Sequence, residues 1–140
     1  MQAYGERRKG RGCSGGRQHT WLARHLLLLH HLIMVKRSQI RAFSRAVAQR
    51  FHPQKIVLFG SYAYGKPGEQ SDVDLLVIMP RTRLGGERMS VRILHAIPRE
   101  FPLDLLVRTP ADVARRLRWK DPFISEVVEK GKVLYEADHA

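Results

Sequence analysis

Cysteine is nearly absent: Cys13 is the only one in 140 residues. No intrachain disulfide can form, and the repeated thiolate spacing of a structural zinc site is missing. Such usage fits a reducing cytoplasm, which is the expected location. Aromatic residues make up 8% of the chain and show no pattern of stacking platforms, so nucleic acid is not the expected partner. Internal repeats are lacking too. The stretch Trp21–Val35 is short and broken by His30 and His31, too polar to cross a bilayer. No small-residue cleavage site follows it, which argues against export. His52 and His95 have no evident catalytic partner, so they are expected at the surface or in packing.

What the chain does have is positive charge, 25 basic against 13 acidic residues for a formal +12. That excess calls for a polyanionic partner, either phosphate groups or nucleic acid. Its distribution tempers the inference. Residues 1–33 hold six basic residues and one acid, whereas the rest holds 19 and 12. Met1–Gln18 is Gly- and Arg-rich without apolar periodicity, a composition expected to be disordered. A metal site at His25, His30 and His31 is not expected, because adjacent histidines diverge on a helix and no Cys or carboxylate lies near. Residues 1–33 are therefore expected to be a disordered or non-native extension, with the natural product starting at Met34. Residues 34–140 form the expected single domain.

In that body, Ile40, Phe43, Val47 and Phe51 follow helical spacing, with Ser38 as the expected N-cap and Pro53 marking the end. Ile56–Phe59 reads as a short strand stopped by Gly60-Ser61, and residues 62–71 as a helical turn and loop. Val73–Met79 is apolar almost throughout, so it is expected to be a central strand covered on both faces. Arg83–Ala96 reads as a helix with Met89, Ile93 and Ile97 on one side, and Leu103–Arg108 as a strand. Thr109-Pro110-Ala111-Asp112 and Asp121-Pro122 are helix starts, the second helix closing at Gly131. Lys132–Glu136 makes a last strand. The fold class expected is α/β (α+β), a small mixed sheet flanked by helices.

The chemistry is concentrated in Gly60-Ser61, ten intervening residues, then Asp72-Val73-Asp74. A Gly-Ser turn or an Asp-x-Asp strand start is common by itself. Together they are more demanding. Residues two apart in a strand share a face, so Asp72 and Asp74 present two carboxylates to one side. Such a pair repels itself unless a cation neutralises it, and hard oxygen ligands favour Mg²⁺ or Mn²⁺. Asp104 opens another apolar strand. If that strand lies beside Val73–Met79, three acids meet at one end of the sheet. They could then share two metal ions about 3.5–4 Å apart, the arrangement for in-line displacement at phosphorus. The plainer alternative pairs Asp104 with an arginine such as Arg108. Gly60 allows close backbone approach, and the turn after Ser61 aims free N–H groups at an anion.

This signature resembles that of the DNA polymerase β-like nucleotidyltransferase superfamily, and the short length is similar to its minimal nucleotidyltransferases. The similarity runs from about Met34 to Glu136, including the ending Gly131-Lys132-Val133-Leu134-Tyr135-Glu136, so 34–140 is the expected nucleotidyltransferase domain. The resemblance implies that Asp72 and Asp74 bind both Mg²⁺ ions and that Asp104 binds the catalytic one and helps activate the attacking hydroxyl. Gly60 and Ser61 would hold the triphosphate, with ATP as the implied nucleotide. Relatives carry arginines where this chain has Tyr62 and Tyr64, and Lys66 is the expected substitute. Members of the group are typically encoded beside a HEPN-domain toxin and act as its antitoxin, some by transferring AMP from ATP to a tyrosine of that toxin.

Size points the same way, since about a hundred residues leave little surface for an acceptor pocket. A hetero-oligomer with the HEPN-domain protein is the expected assembly. Two other classes compete: a catalytically weak module that silences its partner by occlusion, and a basic RNA-binding protein supported by charge alone. A phosphoacceptor receiver domain is disfavoured, because the acids precede the apolar run instead of ending it.

Overall fold

The structure, a computed structural model, describes residues 34–138. The expectations for residues 1–33, including His25, His30 and His31, lie outside the described residues. Among the described residues no helix is long and apolar enough to cross a membrane.

The elements run α1 (Arg37–Phe51), β1 (Lys55–Phe59), α2 (Ser61–Tyr64), β2 (Val73–Ile78), β3 (Arg83–Leu84), β4 (Glu87–Arg88), α3 (Met89–Ala96), β5 (Leu103–Arg108), α4 (Pro110–Arg118), α5 (Pro122–Lys130) and β6 (Lys132–Glu136). Four strands form one mixed sheet in the order β5-β2-β1-β6. β1 is antiparallel to both of its neighbours, whereas β2 and β5 are parallel. The expected fold class is the one observed.

Strand alternation sorts the core into two layers. Ile56, Leu58, Val73, Leu75 and Val77 face one side and pack with Ile40, Phe43 and Val47 of α1 and Met89 and Ile93 of α3. Val57, Phe59 and Leu76 face the other side, against Val113 of α4 and Ile124 and Val127 of α5. β2 is thus buried from both faces, which is why it reads as a nearly continuous apolar run. The two helices of the second layer start as their sequences require. The Thr109 hydroxyl accepts from the Asp112 N–H at 3.1 Å, the Asp121 carboxylate accepts from the Ile124 N–H at 3.0 Å, and proline follows each cap.

Two local expectations are corrected. Ser38 is not the N-cap of α1; Lys36 holds that place, and its N–H donates to the Gln39 side chain at 2.9 Å. That contact is the reciprocal half of a capping box, and it sets the helix start two residues ahead of Ser38. The segment Arg83–Ala96 is not helical throughout. Its first part is a two-stranded hairpin, Arg83 paired with Arg88 and Leu84 with Glu87, around Gly85 and Gly86. Both glycines have positive φ, the backbone a two-residue hairpin turn needs. The helix begins only at Met89, and Met89, Ile93 and Ile97 are buried on its inner side.

Candidate active site

Backbone register decides where the acids stand. The Val73 N–H donates to the Pro102 carbonyl at 3.0 Å, which ties the entry of β2 to the entry of β5. From there the strands pair Val73 with Leu103 and Asp74 with Asp104. Side chains at paired positions of neighbouring strands lie on the same face, within about 4.5–5.5 Å at Cβ. Asp72 lies just before β2 and shares the parity of Asp74. All three acids therefore stand at one end of the sheet.

The electrostatics agree with that placement. Burial raises the pKa of Asp74 above the usual carboxylate value, and the negative charges of Asp104 and then Asp72 raise it further. Three like charges within interaction range repel one another, and a cation arriving among them would relieve that repulsion. The donor set is all carboxylate oxygen, which fits a hard divalent ion. The end is open: Asp72 and Asp104 are exposed and Asp74 half-buried. Among the described residues, no three carboxylate, imidazole or thiolate groups stand close enough together to hold an ion as they are placed.

The alternative for Asp104 can be tested directly. Arg108 does not reach it. The guanidinium lies 3.6 Å from Asp112 instead, since four residues along a strand separate Asp104 from Arg108 by roughly 13 Å.

Gly60 follows β1 and has φ of 69° and ψ of −160°, a conformation that L side chains avoid. A Cβ at Gly60 would fall 3.0 Å from Asp74 Cγ and closer still to Oδ2. The glycine thus leaves room to seat Asp74, a use beyond the close backbone approach expected from sequence. Ser61 begins α2, whose first N–H groups have no intrahelical carbonyl to bond. Lys66 follows the left-handed Gly65, donates its backbone N–H to the Ser61 carbonyl at 3.0 Å and is exposed.

Tyr62 is a core residue. It is buried, and its hydroxyl accepts from the Val35 N–H at 3.2 Å. Tyr64 is exposed. Phe59 and Phe123 were not singled out from sequence. Phe59 is the β1 register partner of Asp74, and Phe123 meets it edge-on with centroids 5.5 Å apart. That contact joins residues distant in sequence and leaves no local signal.

Two cavities of about 550 and 530 Å³ lie toward the other end of the sheet. The first is lined in part by Arg83, Arg88 and Arg108, the second by Arg50, Arg81 and Arg92. Neither includes Asp72, Asp74 or Asp104.

Comparison with known proteins gives this geometry its context. A Methanocaldococcus jannaschii protein assigned as a protein adenylyltransferase is 32% identical over 89 residues, 60% of this chain and 59% of that protein. The chain thus spans 59% of the length of that relative. A solved Sulfolobus solfataricus protein assigned as a nucleotidyltransferase is 16% identical, with 91% of this chain and 96% of the other covered and a TM-score of 0.47. A toxin–antitoxin complex solved with AMP-PNP is 23% identical over 70% of this chain and 74% of its own, with a TM-score of 0.46. Structural likeness at this level carries no functional meaning. The family match does: residues 40–136 match the nucleotidyltransferase domain, a span that takes in Gly60, Ser61 and all three acids. This chain belongs to the nucleotidyltransferase domain family.

Proposed function

We propose that this protein is a metal-dependent nucleotidyltransferase that moves a nucleoside monophosphate, AMP from ATP, onto a hydroxyl of a partner protein. The single observation that carries the reading is the register pairing of Asp74 with Asp104, with Asp72 at the same end and Gly60 against Asp74. A protein acceptor is supported by the assignment of the Methanocaldococcus jannaschii relative. The open end around the acids also supports it, because an acceptor delivered by another chain needs no enclosed pocket.

In this reading Asp72, Asp74 and Asp104 hold Mg²⁺, with Mn²⁺ able to replace it. The bound ions supply charge neutralisation on the triphosphate and lower the pKa of the attacking hydroxyl. Ser61 and the first N–H groups of α2 receive the terminal phosphates, with Lys66 as the nearby basic side chain. The acceptor oxygen attacks the α-phosphorus and its O–P bond forms as the bond to the β-phosphate breaks. Pyrophosphate departs, and the hydroxyl proton passes to an Asp104 oxygen or to water. The partner implied by the family resemblance is a HEPN-type toxin encoded nearby, which makes this chain its antitoxin in a cytoplasmic hetero-oligomer.

The test is incubation with α-labelled ATP, CTP, GTP or UTP, Mg²⁺ and the product of the neighbouring reading frame. Label on that product, strongest from ATP, is the expected result; no transfer from any nucleotide would defeat the enzymatic reading. A second reading, neutralisation by occlusion, draws support from the exposure of Asp72 and Asp104. Equal neutralisation of the partner by wild type and Asp72→Asn would establish it.

A further inference from the structure

Phe123 is an apolar ring left 43% exposed at the end of the sheet that carries the acids. Its exposure follows from how α5 is held. The Asp121 cap and Pro122 set the start of the helix, and Ile124 and Val127 bury into the second core layer. Neighbouring positions on a helix point about 100° apart, so seating Ile124 and Val127 turns Phe123 toward the edge. There it leans on Phe59 at an interplanar angle of 84°, a favoured aromatic geometry that fixes the ring in place. Phe59 pairs in register with Asp74 and shares its face. Phe123 thus lies one ring beyond the carboxylates.

The two layers order these parts across the sheet end. Tyr62 and Ala63 of α2 belong to the layer beneath α1 and α3, while Phe59 belongs to the layer beneath α4 and α5. A nucleotide with its terminal phosphates at α2 and its α-phosphate over the acids extends toward α5. What it brings there is the base, and every base has an apolar face that stacks on an aromatic ring. Trp119 is more exposed, at 72%, but the Arg115 guanidinium already lies over its ring, 5.3 Å from the centroid.

We infer that Phe123 is the stacking surface for the nucleobase of the bound nucleotide. The inference rests on the nucleotidyltransferase reading of the acids, and its test separates the two. Calorimetric titration in Mg²⁺ compares ATP with inorganic tripolyphosphate, which has the phosphates and no base. Wild type is expected to bind both, ATP the more tightly. Phe123→Ala and Phe123→Leu should weaken ATP about tenfold and leave tripolyphosphate unchanged; the leucine keeps apolar packing on Phe59 without a π face. Phe123→Trp should bind ATP like wild type, as should Trp119→Ala. ATP affinity unchanged in Phe123→Leu overturns the stacking role, and so does an equal loss for ATP and tripolyphosphate, which would mark Phe123 as structural. If wild type binds neither compound, the nucleotidyltransferase reading itself falls and the inference goes with it.

Discussion

Two aspartates on the same side of the sheet live under opposite conditions. Asp112, in the first turn of α4, is held by Arg115 and Arg116, with Arg108 at 3.6 Å. Burial acts to raise its pKa, but the hydrogen bonds from Arg116 and Arg115 and their charges outweigh it, so the carboxyl titrates below the ordinary range. At the other end of the sheet, in β2 beside the start of β5, the pKa of Asp74 is raised by burial and then by the negative charges of Asp104 and Asp72. A carboxylate kept for structural reasons is surrounded by cations that the chain itself supplies. One left among like charges has no such structural partner, and in the proposed function it is the one that receives a cation.

Removing the charge at each end should break the symmetry most visibly at Asp74. Asp74→Asn is expected to lower nucleotide transfer by about 10³-fold or more, since the metal-held charge is worth several kcal/mol of transition-state stabilisation. Its effect on the fold should have the opposite sign. A carboxyl whose folded pKa lies above its unfolded value contributes stability that is fully present below pH 3.8 and is lost as pH rises through the folded value. At neutral pH the metal-free protein therefore carries the repulsion in full, and the asparagine relieves it. Thermal melting without Mg²⁺ should place the variant above wild type. Added MgATP should raise the midpoint of wild type and not of the variant. A variant that melts lower in the absence of metal, or that keeps its transfer rate, would refute the contrast between the two aspartates.

Gly60→Ala sharpens the same contrast from the backbone. The added methyl must occupy space held by the Asp74 carboxylate, at a φ of 69° that costs about 1–3 kcal/mol for a side-chain residue. Chemical denaturation should show a loss of that order. In an Asp74→Ala background the loss should shrink to the backbone part, because the collision is gone. An equal loss in both backgrounds would mean that Asp74 does not need Gly60.

How much of this was legible in the sequence depends on whether a feature is local. β5 from Leu103 to Arg108 and the helix starts at Thr109 and Asp121 were readable, because alternation and capping act within a few residues. The acids were readable as a set, since Asp72 and Asp74 share parity by necessity and Asp104 interrupts an apolar strand. That Asp104 stands opposite Asp74, in register and not shifted along the strand, depends on how β2 meets β5, which no local pattern states. The hairpin before α3 was missed although Gly85-Gly86 announces it; the helical spacing of Met89, Ile93 and Ile97 was extended backward across a turn signal. The alternative that pairs Asp104 with Arg108 fails because a carboxylate four residues earlier in a strand is far away, whereas Asp112, also four residues off, is brought near by the turn into α4. Phe123 was invisible, since its place beside Phe59 depends on α5 folding back over β1.

The smallest effect is expected at Asp112, where it tests the contrast from the structural end. Asp112→Ala removes contacts to Arg115, Arg116 and Arg108 at a partly solvated site, so the loss at neutral pH should be about 1 kcal/mol, as for surface ion pairs at a helix N-terminus. Transfer activity should be unaffected, because the site lies at the opposite end of β5 from Asp104. The pH dependence separates this pairing from a packing defect. A carboxyl with a lowered folded pKa contributes stability that is present above the unfolded value of 3.8 and lost as pH falls through the folded value. The gap between wild type and Asp112→Ala should therefore hold steady from neutral pH down to about pH 4 and close below it, while added salt narrows it throughout. For Asp74→Asn the same titration runs the other way: the variant leads at neutral pH and the lead disappears on acidification. If both gaps moved in the same direction with pH, the two aspartates would not be opposites, and the claim that one end of the sheet is built to receive a cation would lose its electrostatic support.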